Sequence, residues 1–284
     1  MTRLITEWLT HSKDDMEIWD TEVESITGLN AADLARNAAA AWMGISEKDS
    51  EFIDVRRKIS CGVVPVTAGL GKIGGFSHSV AAVLEHLGVN TILSETSDVE
   101  GVWRCIESGA EIIFMADDNR FIALNARHGA IGENDKATAW GYASALHHMA
   151  GGLNGRDVLL LGCGRVGHEA LNALKYYGAK IYAFDKDREA SASLAGFADG
   201  IIESPDRIRK YPLIFDATDE GGWLSRDELN PDVIISAPGL PLSFDDDCAS
   251  SLKNPIFHDT LHTGVAVMLF MAMQKGTRED TGAK

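Results

Sequence analysis

The sequence is poor in cysteine, and its few cysteines are far apart. There are four among 284 residues, and none lies in a CxxC pair or a zinc-like cluster: Cys61, Cys105, Cys163 and Cys248. We interpret them as reduced thiols, which predicts a cytoplasmic protein. No spacing of histidine, cysteine and carboxylate residues predicts a metal site.

Long apolar runs and an excess of positive charge are also missing. No run reaches the about 18 residues that a membrane span requires, and residues 1–16 show neither the apolar core nor the cleavage site of a signal peptide. Lys and Arg number 26 against 42 Asp and Glu, which gives a formal net charge of −16. Because phosphate backbones bind basic surfaces, we expect no nucleic-acid partner. The lack of a long apolar run predicts no membrane partner.

Strand-like and helix-like segments alternate along most of the chain. The first half predicts helices at 14–28, 30–43, 78–88 and 98–109 and strands at 61–66, 90–95 and 111–116. The second half predicts a helix at 137–152, strands at 157–162, 180–185, 199–204, 212–218, 232–238 and 254–260, and a closing helix at 263–275. Several strands are continuous apolar runs, as expected when both faces of a parallel sheet are covered.

This alternation predicts an α/β protein with two domains. We expect residues 1–136 to form a smaller N-terminal substrate and catalytic domain, with leading helices and a three-stranded parallel sheet. Residues 137–152 would form a bridging helix. Residues 153–275 would form a Rossmann-type NAD-binding domain with a doubly wound parallel sheet. The last residues, 276–284, are expected to be a disordered tail.

A glycine fingerprint of dinucleotide-binding proteins stands in the second half. The motif GCGRVG (162–167) directly follows a predicted strand and opens an apolar-periodic helix. Gly162 permits a tight turn, Gly164 lets the backbone approach a pyrophosphate, and Gly167 lets helix and strand pack closely. The alternative is a glycine turn in a Rossmann-like fold that binds no nucleotide.

An acid completes this fingerprint. Asp185 ends the next strand, 23 positions after Gly162, where a carboxylate binds the ribose hydroxyls of NAD and repels the 2′-phosphate of NADP. Residues at other strand ends would line the same cleft, or would only form turns. The candidate cofactor-binding residues are Gly162, Cys163, Gly164, Arg165, Val166, Gly167, Asp185, Lys186, Thr218, Asp219, Pro238, Gly239 and Asp259.

The glycine pattern occurs a second time, as GLGKIG (69–74), but fits a nucleotide less well. Thr67 and Ala68 separate it from its strand, and mostly polar residues follow it. Glu95 ends the next strand and remains an alternative ribose-binding acid. We favour a site for a small anion such as a substrate carboxylate, because N–H groups in a glycine loop before a helix bind anions. A loop without a ligand is the alternative.

Five stretches together resemble a known family. In chain order they are VVPVTAGLGKIGGFSHSV, MADDNRFIALN, DVLLLGCGRVG, FDAT and SAPGLP. They are similar to motifs of the pyrrolysine synthase family (PylD), which performs the last step of pyrrolysine biosynthesis. The GxGxxG part is common to many dehydrogenases, whereas the VPVT-to-GGFS loop and the MADDN stretch are far more specific. The resemblance runs from about Val63 to the closing helix.

The resemblance implies both a substrate and a reaction. The substrate would be 3-methyl-D-ornithine joined by an amide to the side chain of L-lysine. NAD would accept a hydride from the carbon of the terminal primary amine. The ornithine α-amine would then capture the imine or aldehyde, and loss of ammonia and water would give pyrrolysine. By analogy with related dehydrogenases we expect a homodimer.

Two adjacent carboxylates at the end of a predicted strand fit this chemistry. Hydride leaves an amine carbon readily only when the nitrogen is neutral, and a primary ammonium has a pKa near about 10.4. We therefore predict that Asp117 binds and deprotonates the reacting amine, as the family's acidic strand-end residue would. Alternatively, Asp117 and Asp118 exchange roles, or both cap a following short helix.

Residues near these carboxylates would contact the rest of the substrate. Phe76 would form a wall along the aliphatic chain, or would be an ordinary core residue. The candidate substrate-binding residues besides Asp117 are Thr67, Gly75, Phe76, Ser77, Ala116, Asp118 and Asn119.

Two rival functions remain open at this point. One is an NAD-dependent dehydrogenase of a free amino acid or hydroxy acid. The other is a non-catalytic protein that senses NAD.

Overall fold

Two β-sheets organise the computed structural model, which describes residues 12–46, 59–69, 71–72 and 74–274. The expected tail at 276–284 lies outside these residues. Two positions of the pattern GLGKIG (69–74), residues 70 and 73, also lie outside them. Each sheet is built from one half of the chain, and helices cover their faces.

The first sheet has five strands in the order β2-β1-β3-β4-β5. The strands are β1 (Ser60–Pro65), β2 (Asn90–Leu93), β3 (Ile112–Ala116), β4 (Phe121–Asn125) and β5 (Ile131–Glu133). The helices of this half are α1 (Lys13–Thr27), α2 (Ala31–Trp42), α3 (Phe76–His86) and α4 (Asp98–Glu107). The first three strands are parallel, as predicted.

Strands β4 and β5 are antiparallel additions that the sequence analysis missed. Strand β4 returns beside β3 through a tight turn, in which the Asp117 N–H donates to the Arg120 carbonyl at 2.9 Å. The alternative that Asp117 and Asp118 cap a following short helix is therefore wrong, because the chain reverses there and β4 pairs with β3. A five-residue strand with alternating burial gives a weak sequence signal.

The second sheet has six parallel strands in the order β11-β10-β9-β6-β7-β8. The strands are β6 (Asp157–Leu161), β7 (Lys180–Phe184), β8 (Gly200–Ile201), β9 (Leu213–Asp216), β10 (Ile234–Ser236) and β11 (Ile256–Phe257). Helices α6 (Arg165–Tyr176), α7 (Arg188–Ser193) and α8 (Asp246–Ser250) lie between them. This is the strand order of a Rossmann sheet, and all six predicted strands are present.

Two helices join the halves. Helix α5 (Asn134–Met149) begins three residues before the predicted start and packs against both α6 and β10. Helix α9 (His262–Ala272) follows the last strand of the second sheet but packs on α2, α3, α5 and β5. All of its residues are buried, which explains its apolar sequence on every face.

The returning helix sits very close to the first sheet. The buried Asn125 side chain donates to the Ala272 carbonyl at 2.9 Å. A Cβ atom on Gly132 of β5 would overlap the backbone carbonyl of Met268, so glycine allows α9 to approach the sheet. In the part of the chain that the structure describes, no helix is long and apolar enough to cross a membrane.

This close approach predicts the effect of one methyl group. Gly132→Ala should destabilise the protein by about 1–3 kcal/mol, because the helix backbone must move to make room. Gly196→Ala is the matched control, since a Cβ there meets nothing within 4 Å. Thermal unfolding of both variants checks this expectation, and equal melting temperatures would contradict the close contact.

Candidate active site

A cleft of about 480 Å³ lies between the two halves, at the carboxyl ends of the Rossmann strands. This is where ligands of open α/β sheets bind. Most predicted cofactor residues line it, together with one predicted substrate residue: Gly162, Gly164, Arg165, Val166, Asp185, Lys186, Thr218, Asp219, Pro238, Gly239, Asp259 and Phe76.

The glycine loop has the geometry that a pyrophosphate requires. Gly162 has a φ of 83°, and a Cβ there would be 2.6 Å from the Ala217 carbonyl oxygen. A Cβ on Gly167 would overlap the Gly162 carbonyl, so α6 packs directly on the loop. Gly164, by contrast, faces open space at the start of α6. The helix N-terminus is therefore accessible to an anion.

Asp185 is tied to this loop. Its Oδ2 accepts the Cys163 N–H at 2.7 Å, and its Oδ1 accepts the Asp187 N–H at 2.8 Å. The carboxylate thus lies beside the loop, where it can reach a ribose. Cys163 contacts Asp185 through its backbone N–H and not through its thiol. Burial, helped by the Asp185 charge, raises the pKa of the Cys163 thiol to about 12, so the thiol stays protonated.

A second carboxylate holds one of the residues that line the cleft in position. Asp216 ends β9, is fully buried, and accepts the Thr218 hydroxyl at 2.7 Å. Burial raises the pKa of Asp216. The Thr218 and Ser243 hydroxyls are 2.6 Å apart. These contacts fix Thr218 where it lines the cleft.

Asp259 is a helix cap as well as a lining residue. Its carboxylate accepts the Thr263 hydroxyl at 2.5 Å and the N–H groups of Leu261 and Thr263 at 3.1 and 3.2 Å. The Tyr142 hydroxyl donates to the Asp259 carbonyl at 2.7 Å and accepts the Asp259 N–H at 2.8 Å. These bonds fix the start of α9 against α5.

One face of α5 lines the cleft and was missed by the sequence analysis. Asn134, Thr138 and Tyr142 are four residues apart and all face the cleft. Their spacing was visible in the sequence, but the predicted helix started at 137 and excluded Asn134. The face adds amide and hydroxyl groups to the part of the cleft near Asp259.

A smaller cavity of about 40 Å³ lies next to the cleft, in the first half of the chain. The predicted substrate residues that line it are Phe76, Ser77, Ala116, Asp117 and Asp118. The rings of Phe76 and Phe121 border both spaces and pack edge to face at 5.1 Å. Lys72 also lines the small cavity and was not predicted.

Asp117 holds the turn between β3 and β4. Its Oδ1 accepts the N–H groups of Asn119 and Arg120 at 2.7 and 2.8 Å. The hydrogen bonds from the Arg120 and Asn119 backbones hold the pKa of Asp117 below its usual value, so the side chain is ionised at neutral pH. Asp118 lies against Gly69, where a Cβ would overlap its carboxylate.

Three predicted substrate residues line neither space. Thr67 is turned towards α4, where its hydroxyl and N–H donate to the Asp98 carboxylate at 2.6 and 2.9 Å. Gly75 is the N-cap of α3 with a φ of 78°. Asn119 lies at the exposed tip of the β3–β4 turn.

The tip of this turn touches the glycine loop. Arg165 donates from Nη1 to the Asn119 carbonyl at 3.1 Å, and its Nε lies 3.2 Å from Asp135 Oδ2. The first helical residue of α6 therefore links the fingerprint to the turn that carries Asp117.

Within the described residues, no group of three or more His, Cys, Asp and Glu side chains could hold a metal ion.

Two of the three glycines of the fingerprint, Gly164 and Gly167, predict different phenotypes. Gly167→Ala should destabilise the fold by about 1–3 kcal/mol, because its methyl group has no room. Gly164→Ala should melt like wild type but weaken dinucleotide binding at least about tenfold, since its methyl group occupies the pyrophosphate path. Thermal unfolding and calorimetric titration separate the two effects. A Gly164→Ala variant with unchanged affinity would contradict this path.

One solved structure shares this fold. The structure of quinate dehydrogenase from Corynebacterium glutamicum in complex with NAD superposes with a TM-score of 0.51 at 14% identity, covering 77% of this chain and 95% of that chain. At this identity the similarity concerns the fold alone. It confirms the predicted α/β architecture with a Rossmann-type parallel sheet.

Sequence comparisons are more specific. The family model "Pyrrolysine biosynthesis protein PylD, N-terminal domain" matches residues 9–132. Pyrrolysine synthase of Methanosarcina barkeri is 29% identical over 255 residues, 89% of this chain and 91% of that protein. Pyrrolysine synthase of Methanosarcina acetivorans is 33% identical over 213 residues, 74% of this chain and 80% of that protein. The resemblance inferred from the motifs is therefore confirmed, and the chain belongs to the pyrrolysine synthase family.

Proposed function

We propose that the chain is an NAD-dependent dehydrogenase that oxidises the terminal amine carbon of 3-methyl-D-ornithyl-N6-L-lysine and so forms pyrrolysine. Membership of the pyrrolysine synthase family supports this substrate. The observation that carries the chemistry is the position of Asp117, in a cavity that shares the Phe76 and Phe121 wall with the cleft of the glycine fingerprint.

The second half of the chain suits a nicotinamide cofactor. Open space at Gly164 and the N-terminus of α6 fit a pyrophosphate, and Asp185 fits a ribose diol. When bound, NAD supplies a hydride acceptor. The residues at the ends of β9 and β10, Thr218 and Gly239, line the continuation of this cleft towards α5 and Asp259.

The first half suits the amine end of the substrate. The small cavity has room for a terminal group but not for the whole amide, so the remainder would extend through the cleft. Asp117 uses Oδ1 for its turn, and among the described residues no hydrogen bond is donated to Oδ2. Oδ2 can therefore bind the ammonium group of the substrate.

Proton transfer requires a change at Asp117, because a carboxylate with a lowered pKa is a weak base. Substrate binding would cover Asp117 and exclude water, and loss of hydration raises the pKa of a carboxyl group. We propose that Asp117 takes the ammonium proton in this covered state. Asp118, on the same turn and in the same cavity, would support the charge balance there.

The remaining steps need no further oxidant. Loss of the proton and a hydride converts the primary ammonium carbon into an imine carbon. The ornithine α-amine attacks this carbon, a C–N bond forms, and ammonia leaves to give the pyrroline ring. If water first converts the imine to an aldehyde, ammonia leaves at that stage and the same water is lost on ring closure.

The direct test is a reaction of purified protein with NAD and the lysine–methylornithine amide. We expect NADH absorbance at a rate that depends on the amide, and pyrrolysine by mass spectrometry. No NADH with the amide, combined with turnover of a free amino acid or hydroxy acid, would overturn the substrate assignment. Binding of NAD without turnover of any amine would favour a sensor.

The role of Asp117 has its own test. Asp117→Asn should lower kcat about 10²–10⁴-fold, the usual effect of losing a general base, with little change in NAD affinity. The asparagine oxygen can still accept the two turn N–H groups, so the fold should survive. Stopped-flow measurement of NADH formation gives the rate, and circular dichroism checks the fold.

Asp118→Asn is the matched control for this variant, because it removes the same charge one residue away. A larger loss of kcat in Asp118→Asn than in Asp117→Asn would reverse the two roles. Full activity in Asp117→Asn would reduce Asp117 to a turn residue.

The homodimer expected from related dehydrogenases stays a prediction. All four cysteines are buried free thiols, which suits the cytoplasm.

A further inference from the structure

One cation at the ribose end of the cleft is held by an acid that follows β9, which is separated from β7 by β6 in the sheet. Lys186 directly follows Asp185, and its Nζ lies 2.8 Å from Glu220 Oε1. Both residues line the cleft. Glu220 comes after β9, and so its contact with Lys186 depends on the strand order and was not predicted from the sequence.

An aromatic ring holds the same ammonium group from a second side. Lys186 Nζ lies 4.7 Å from the centre of the Trp223 ring, within the range of a cation–π contact. Trp223 in turn packs near Phe184, with ring centres 6.0 Å apart. Loss of Glu220 would therefore leave Lys186 at the cleft, where the ring still positions it.

Most of the charged residues that line the cleft are acidic. The residues that line the cleft include four carboxylates of the strand ends, Asp185, Asp187, Asp219 and Glu220, and two cations, Lys186 and Arg165. In NADP-binding relatives of this fold, a basic side chain near the ribose acid accommodates the 2′-phosphate. Lys186 is next to the ribose acid and would take that role if it were free.

We propose that Glu220 is a specificity-determining residue that prevents Lys186 from binding a 2′-phosphate. Asp185 repels the phosphate directly, and Glu220 pairs with the adjacent lysine, whose positive charge would offset this repulsion. The preference for NAD over NADP thus rests on two acids from different strands. This inference depends on the proposed nucleotide site but not on the proposed amine substrate.

The solvent exposure of Lys186 and Glu220 limits how much their pairing changes the affinity for NADP. The Lys186 and Glu220 side chains are 44% and 63% exposed, so water and salt screen their pairing. Glu220→Gln keeps the shape of the side chain and removes its charge. We expect the ratio of the NADP to the NAD dissociation constant to fall roughly fivefold in this variant at low salt.

A double-mutant comparison tests whether Lys186 causes the gain in NADP affinity that we expect in Glu220→Gln. Calorimetric titration of NAD and NADP would be compared for wild type, Glu220→Gln, Lys186→Met and the double variant. We expect the ratio to return to the wild-type value in the double variant, because the phosphate partner is then gone. Glu107→Gln on the exposed face of α4 removes the same charge far from the cleft and should leave the ratio unchanged.

Three results would overturn the proposal. They are an unchanged ratio in Glu220→Gln, an equal fall in the ratio with and without Lys186, and an equal fall in Glu107→Gln, which would show a general charge effect. Failure of the proposed function looks different. Wild type that binds both nucleotides with the expected ratios but does not turn over the amide would refute the substrate and leave the role of Glu220 intact.

Discussion

The packing of α9 against the first sheet is the constraint on which the cleft depends. The chain leaves the second sheet at β11, and its closing helix is buried on every face among elements of the first half. The Asn125 hydrogen bond to the Ala272 carbonyl and the absence of a side chain at Gly132 bring backbone against backbone. Because closely packed interiors resist deformation, the two walls of the cleft keep a defined separation, and groups from both halves can act on one substrate.

Carboxylates within this framework differ in role because their surroundings differ. Asp216 is fully buried and anchors Thr218, with a pKa raised by burial. Asp259 caps α9 and contacts Tyr142. The Asp185 carboxylate accepts the backbone N–H of Cys163 in the glycine loop. Asp117 also binds backbone N–H groups, which hold its pKa down, but it does so with one oxygen at the edge of a cavity. Among the described residues, no hydrogen bond is donated to its second oxygen.

The sequence predicted those parts of the structure that have local causes. Apolar runs predicted the six Rossmann strands, and the spacing of Gly162, Gly164 and Gly167 predicted the loop. Strand β4 was not predicted because its formation depends on pairing with β3. The tight turn between these strands lies where the alternative interpretation of Asp117 and Asp118 placed a short helix. Thr67 was placed at the substrate, yet its hydroxyl binds Asp98, 31 residues away along the chain. The contact between Lys186 and Glu220 likewise exists only once β7 and β9 flank β6.

The proposed reaction requires that a carboxylate oxygen of the first half meets the amine nitrogen beside the nicotinamide. A crystal structure of the protein with the amide and NADH, which cannot accept the hydride, measures this most directly. The account predicts that the terminal nitrogen lies about 2.6–3.2 Å from Oδ2 of Asp117, with its carbon facing the nicotinamide ring. An amine nitrogen bound elsewhere in the cleft, with Asp117 contacting only its own turn, would contradict it.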